Sequence, residues 1–334
     1  MKNIGIITLP LIDNYGAVMQ NFALQQAIRK IGFNPITIDR HIKVPFFYFI
    51  LSTIKTILLF FIPQKRRKFY TRIVMRNGSF EHFVNQHIQK TRPVCKCDRD
   101  IINENELDAI VVGSDQVWRP KYNQNLDDSY LDFAKKTSIK KIAYAASFGD
   151  EKWEYTSRQT KKYRKLISVF SFVSTREISG VGLCKKYFDI NAQEVADPTL
   201  LLDIKDYLNI CKDIPIEKSK YIAAYILDMT QEKKENLEKL AKEKGLPIRL
   251  FSAESNASLS IPEWIASFRD ATYVVTDSFH GTVFSILFHK EFQCFFNRER
   301  GNARFQSLLE RYHSGTLDDF RKKSFDYLRN ALTI

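Results

Sequence analysis

Ile4-Gly5-Ile6-Ile7-Thr8-Leu9 opens the chain as a short continuous apolar run, the pattern of a strand buried on both faces. Leu24, Ala27, Ile28 and Ile31 follow at i, i+3, i+4 and i+7 spacing and stop at Gly32, which predicts a helix closed by a glycine cap. Pro35-Ile36-Thr37-Ile38-Asp39 is the next strand, so the first forty residues form a βαβ unit. The alternation continues with strands over Ala109 to Asp115, Lys141 to Ser147 and Val169 to Glu177, each ending in polar residues. Strands of this kind belong to a parallel doubly wound sheet, and their polar ends share one rim.

After Asp197-Pro198-Thr199-Leu200-Leu201-Leu202-Asp203 the pattern pauses, and it restarts at Tyr221 to Leu227. A helix over 231 to 244, a strand over 247 to 251, Pro262-Glu263-Trp264 and a strand through Tyr273-Val274-Val275 complete a second α/β pattern. The expected architecture is α/β, with two Rossmann-like domains facing a cleft. The boundary falls near 204 to 218, giving an N-terminal domain over 1–203 and a C-terminal one over 204–334. The mixed-charge helix from Asp318 to Ala331 fits the second domain or a return to the first.

Chemistry concentrates at one corner. The run Tyr273-Val274-Val275 delivers Thr276-Asp277-Ser278-Phe279-His280-Gly281-Thr282 to a strand-to-helix junction, where open α/β sheets expose strand tips and helix N-termini together. His280 is the leading catalytic candidate, and Ser278, Gly281 and Thr282 are placed to hold an anion. The same reasoning makes Asp13, Asn14, Tyr15 and Gly16, in the first strand-to-helix loop, and Ser114 and Asp115, after the third strand, candidates for substrate binding. Asn and Asp also favour such turns for purely local reasons, His280 is equally readable as a capping group, and Arg176-Glu177 as a structural ion pair. No G-x-G-x-x-G is present, which leaves a dinucleotide site without a motif.

With 334 residues the chain is long enough for two cores. Its net charge of +13 asks for an anionic partner. Val44 to Ile62 is largely apolar, with Phe47, Ile50, Leu51, Ile54, Ile57, Leu58 and Phe61 at helical spacing, and it runs into Lys65-Arg66-Arg67-Lys68. The 44–76 segment therefore reads either as an in-plane helix on an anionic membrane surface or as a core helix with a solvated basic turn. No nucleic-acid motif accompanies the basic cluster, so nucleic acid is not an expected partner. The chain starts directly on a strand, without a secretory leader pattern; the cytoplasm is the expected compartment, with peripheral contact to the inner membrane face. Five cysteines and six histidines lack metal-ligand spacing, so no metal is expected.

Seven pieces of sequence, taken in order, resemble the polysaccharide pyruvyl transferase family over nearly the whole chain. They are Asp13-Asn14-Tyr15-Gly16-Ala17 with Gln20, Val112 to Trp118, Ala143 to Gly149, Ser174-Thr175-Arg176-Glu177, Asp197-Pro198-Thr199, Thr276 to Thr282, and Arg300-Gly301-Asn302-Ala303-Arg304-Phe305. The resemblance implies a fold similar to the glycosyltransferase-B type. It also implies transfer of a pyruvyl group from phosphoenolpyruvate to two sugar hydroxyls, giving a pyruvate ketal on a capsular polysaccharide or exopolysaccharide or its lipid-linked precursor. No cofactor is implied beyond phosphoenolpyruvate as donor substrate; the acceptor is a sugar or lipid-linked oligosaccharide. Catalytic roles pass to His280 and Arg176. Some relatives read Arg-Leu-His where this chain has Ser278-Phe279-His280, so Arg298, Arg300 or Arg304 is expected to supply the missing cation. Two alternatives stay open at this point: a glycosyltransferase using a nucleotide sugar, and a non-catalytic binder of glycan precursors.

Overall fold

The computed structural model describes residues 1–12, 14–41, 78–251, 259–296 and 303–333. Asp13, the 44–76 segment up to its last residue, Arg298 and Arg300 lie outside the described residues.

Strand β1 (Asn3–Ile7) leads into helix α1 (Tyr15–Ile31), which ends at Gly32 in the left-handed conformation. There the Gly32 N–H donates to the carbonyls of Ile28 and Arg29, as the glycine signal predicts. Strands β2 (Asn34–Thr37), β3 (Leu107–Val112), β4 (Lys140–Ala146), β5 (Phe172–Thr175) and β6 (Gln193–Glu194) follow. Among the described residues they form one parallel sheet in the order β2-β1-β3-β4-β5-β6. Val169 and Phe170 fall outside β5, because a helix over Ser157–Ile167 runs up to them. Its signal was the capping box Thr156–Gln159.

Strands β7 (Ile222–Tyr225), β8 (Ile248–Phe251), β9 (Tyr273–Thr276) and β10 (Glu291–Cys294) form a second parallel sheet in the order β10-β9-β7-β8. Strand order reverses between β1 and β3 in the first sheet and between β7 and β9 in the second, so each sheet has a crevice at the carboxyl ends of those strands.

One hydrophobic core joins the halves. Helix α2 (Gly78–His87) contributes Phe80 and Phe83, α1 contributes Tyr15, Val18 and Phe22, and the second sheet brings Tyr225, Phe251 and Val274. Tyr15 stacks on Trp264 of helix α3 (Ile261–Asp270), ring centroids 5.0 Å apart, and its hydroxyl donates to the Leu259 carbonyl at 2.6 Å. The last helix, α4 (Leu317–Leu332), buries Leu328, Ala331 and Leu332 against Ile4 and Ile6 of the first sheet and Leu24 of α1. Its Arg321 donates to the carbonyls of Leu200 and Leu202. None of the described helices is long and apolar enough to cross a membrane.

Candidate functional site

The corner after β9 is held by its own polar residues. Ser278 caps the helix over Phe279–Leu287, its hydroxyl accepting from the Gly281 N–H at 3.3 Å. Asp277 is buried and accepts from Leu227 N, Asp228 N and Lys233 Nζ, which ties the end of β9 to the end of β7. A Cβ on Gly281 would lie 2.2 Å from Thr276 Oγ1, so the turn packs directly on its strand. The result is a rigid helix start that presents His280 to the other half of the molecule. There the ring meets Gly16 in the first turn of α1, so closely that a Cβ on Gly16 would fall 2.0 Å from Nδ1.

From the first sheet comes a buried charge cluster. Arg176, at the end of β5, donates through Nη1 to Asp197 Oδ2 at 2.6 Å and through Nη2 to Asp115 Oδ1 at 3.0 Å. His280 Nε2 lies 3.7 Å from the same Asp197 Oδ2. Arg304, in the helix over Ala303–His313, is 3.6 Å from Asp115 Oδ1 and lies over the Phe279 ring, as does Arg176. Thr199 holds the other Asp197 oxygen through its N–H and hydroxyl.

The cluster sets the ionisation of its members. Burial opposes the charge on Asp197, yet the nearby His280 ring, the Arg176 guanidinium and the bonds from Thr199 outweigh it and hold this carboxyl well below the usual range. Asp115 is lowered in the same way, against its burial, by Arg176, Arg304 and His280. Burial, reinforced by the like charge of Arg176, pushes Arg304 down to about 10. Glu177 goes the other way: burial raises it, although Arg176 and the Ser147 hydroxyl pull it down.

Arg176 Nε, His280 Nε2 and Glu177 Oε2 are buried and have no hydrogen-bond partner among the described residues. Buried polar atoms are nearly always paired. Three unpaired atoms meet in this one cluster, two of them nitrogens and one a carboxyl oxygen, which makes it the candidate seat for a ligand.

Of the residues expected from sequence, the structure gathers His280, Arg176, Asp115, Arg304 and Gly16 around this seat. Ser114 is beside them, but its hydroxyl is engaged with the Ala145 carbonyl and Asp197. Ser278, Gly281 and Thr282 build the turn instead of leaving polar groups open, since Ser278 caps Gly281 N and the Thr282 hydroxyl donates to the Ser278 carbonyl. Asn14 is exposed and caps α1 by accepting from Ala17 N, and Tyr15 lies in the core between the halves. Asp197 and Glu177 carry parts of the site that sequence reasoning did not assign. The available signal for Asp197 was its place on the rim, in Asp197-Pro198-Thr199 just after β6. Among the described residues no group of three or more His, Cys, Asp or Glu could hold a metal ion.

The family model described as polysaccharide pyruvyl transferase matches residues 14–295. The chain belongs to this family. The match takes in every described strand except β1 and every described member of the seat except Arg304. No curated protein sequence matches the chain. Among solved structures, the UDP-GlcNAc 2-epimerase of Neisseria meningitidis bound to UDP-GlcNAc is 9% identical, with TM-score 0.52, 99% of this chain and 99% of that chain covered. The Methanocaldococcus jannaschii UDP-GlcNAc 2-epimerase in complex with UDP-GlcNAc and UDP is 10% identical, with TM-score 0.50, 100% of this chain and 93% of that chain covered. The family member therefore has the glycosyltransferase-B type of fold, two Rossmann-like halves with parallel sheets.

Proposed function

We propose that this protein transfers the pyruvyl group of phosphoenolpyruvate to two hydroxyls of a sugar, forming a pyruvate ketal on a surface-polysaccharide precursor. The observation that carries the reading is the meeting of Arg176 and His280 on one oxygen of Asp197, each keeping a buried nitrogen without a partner among the described residues. Phosphoenolpyruvate offers the complementary groups, a carboxylate and a phosphate. Arg176 and Arg304 bind these anions.

His280, as imidazolium, gives its proton to the enol methylene carbon, which becomes the methyl group while C2 gains oxocarbenium character. Asp197 Oδ2 lies 3.7 Å from Nε2 of that ring. One sugar hydroxyl adds to C2 and returns a proton to the imidazole. The C2–O bond to phosphate then breaks, the second hydroxyl adds, and its proton leaves with inorganic phosphate. One donor and one diol thus give one ketal and one phosphate.

The test is incubation with phosphoenolpyruvate and a panel of lipid-linked galactosyl, glucosyl and N-acetylmannosaminyl acceptors. The expected result is phosphate release together with the mass gain of a ketal-linked pyruvate. Consumption of a nucleotide sugar, with phosphoenolpyruvate untouched, would overturn the proposal.

A further inference from the structure

Glu177 is fully buried at the end of β5, and the chemistry above makes no use of it. One oxygen accepts from Ser147 Oγ and Phe148 N, each at 3.0 Å. The other, Oε2, has no partner among the described residues. The charged and titratable groups facing it are Arg176 from its own strand end, Arg304 from the Ala303–His313 helix and the Cys184 thiol beyond the helix over Ile178–Leu183.

The charges do not balance for an anionic ligand. Among the described residues, Arg176, Arg304 and the His280 imidazolium face Asp115, Asp197 and Glu177, so a donor with a carboxylate and a phosphate enters a seat with no surplus of positive charge. Both terminal nitrogens of Arg176 hold Asp115 and Asp197. Those two carboxyls are kept ionised by contacts that Glu177 lacks, and burial disfavours the charged form of Glu177. Neutralising Glu177 is the least costly way to admit the ligand.

Resting on the phosphoenolpyruvate reading, we propose that Glu177 takes up one proton from solvent as the anionic donor binds, and so acts as a positioning residue that matches the charge of the seat to its ligand. No other bond changes in this step. Glu177→Gln is the direct probe, because the amide keeps an oxygen for Ser147 and Phe148 and has the charge of the protonated acid.

Calorimetric titration of the full chain with phosphoenolpyruvate, in buffers of different ionisation enthalpy, counts the protons taken up. Glu177→Gln is expected to take up about one proton fewer than wild type, and its donor affinity to lose about tenfold less per pH unit where the carboxyl titrates. Equal proton uptake in the two proteins overturns the proposal. So does a tenfold or greater loss of donor affinity in a variant whose circular dichroism and melting show it folded. Inorganic phosphate serves as a second ligand: one-proton uptake with phosphate, lost in the variant, alongside no binding of phosphoenolpyruvate, supports the role of Glu177 and sinks the donor assignment. Absence of heat with both anions overturns both.

Discussion

Replacing Gly16 with alanine should disable the site while leaving the fold standing. A Cβ at this position would lie 2.0 Å from His280 Nδ1 and 2.7 Å from Cε1 and Cγ. Carbon and nitrogen settle about 3.5 Å apart, so the ring must retreat by about 1.5 Å. The backbone is already helical there, and alanine gains up to about 1 kcal/mol of helix propensity over glycine. Overpacking costs about 1–3 kcal/mol, so the net loss of stability is at most about 2–3 kcal/mol. A displacement of 1 Å in an acting group costs on the order of a hundredfold in rate, about 2.7 kcal/mol of barrier. Gly16→Ala is therefore expected to lower kcat/KM for acceptor-dependent phosphate release by about a hundredfold or more, with a melting temperature only a few degrees from wild type. Gly182→Ala, where a Cβ meets nothing within 4 Å, is the control and should keep near-normal turnover. A folded Gly16→Ala protein with wild-type kcat/KM would refute the placing of His280 at the reacting centre.

Other perturbations test other parts. Glu177 has a raised pKa in the folded protein, so its burial costs nothing below its unfolded value of about 4.3 and destabilises increasingly as pH rises through the folded value. Glu177→Gln should consequently melt above wild type at neutral pH, with the gap closing on acidification below about pH 4; thermal melts across pH check this, and a constant gap would contradict it. Arg176→Lys keeps the charge but loses the fork that spans Asp115 and Asp197, and should cost about 3–5 kcal/mol in denaturant melts and weaken donor binding. Tyr15→Phe removes the bond to the Leu259 carbonyl but keeps the stack on Trp264, for about 1 kcal/mol, whereas Trp264→Ala should cost about 3–5 kcal/mol. For the 44–76 segment, the sequence motivates flotation with anionic vesicles that weakens in high salt or when Lys65, Arg66, Arg67 and Lys68 become Ser; flotation indifferent to both removes the electrostatic part of that expectation.

The strands were legible because their apolar runs are continuous, and the cleft because each run ends in polar residues on a common rim. The division of labour along that rim was not legible. Asn14, Asp277 and Ser278 look in sequence like Arg176, His280 and Glu177, polar residues at strand or loop ends. In the fold, the first three direct oxygens at nearby backbone N–H groups and become structure, while each of the last three keeps an atom unpaired among the described residues. Which fate a polar residue meets depends on whether the backbone beside it has N–H groups left over, and helix starts and strand ends supply them. Gly16 shows the same limit from the other side: its lack of a side chain matters only because His280, far away in sequence, is pressed against it by the packing of two sheets. The candidate site is therefore specified less by the reactive residues themselves than by the neighbours that consume most of the polar groups around them, leaving Arg176, His280 and Glu177 each with an atom that no described residue uses.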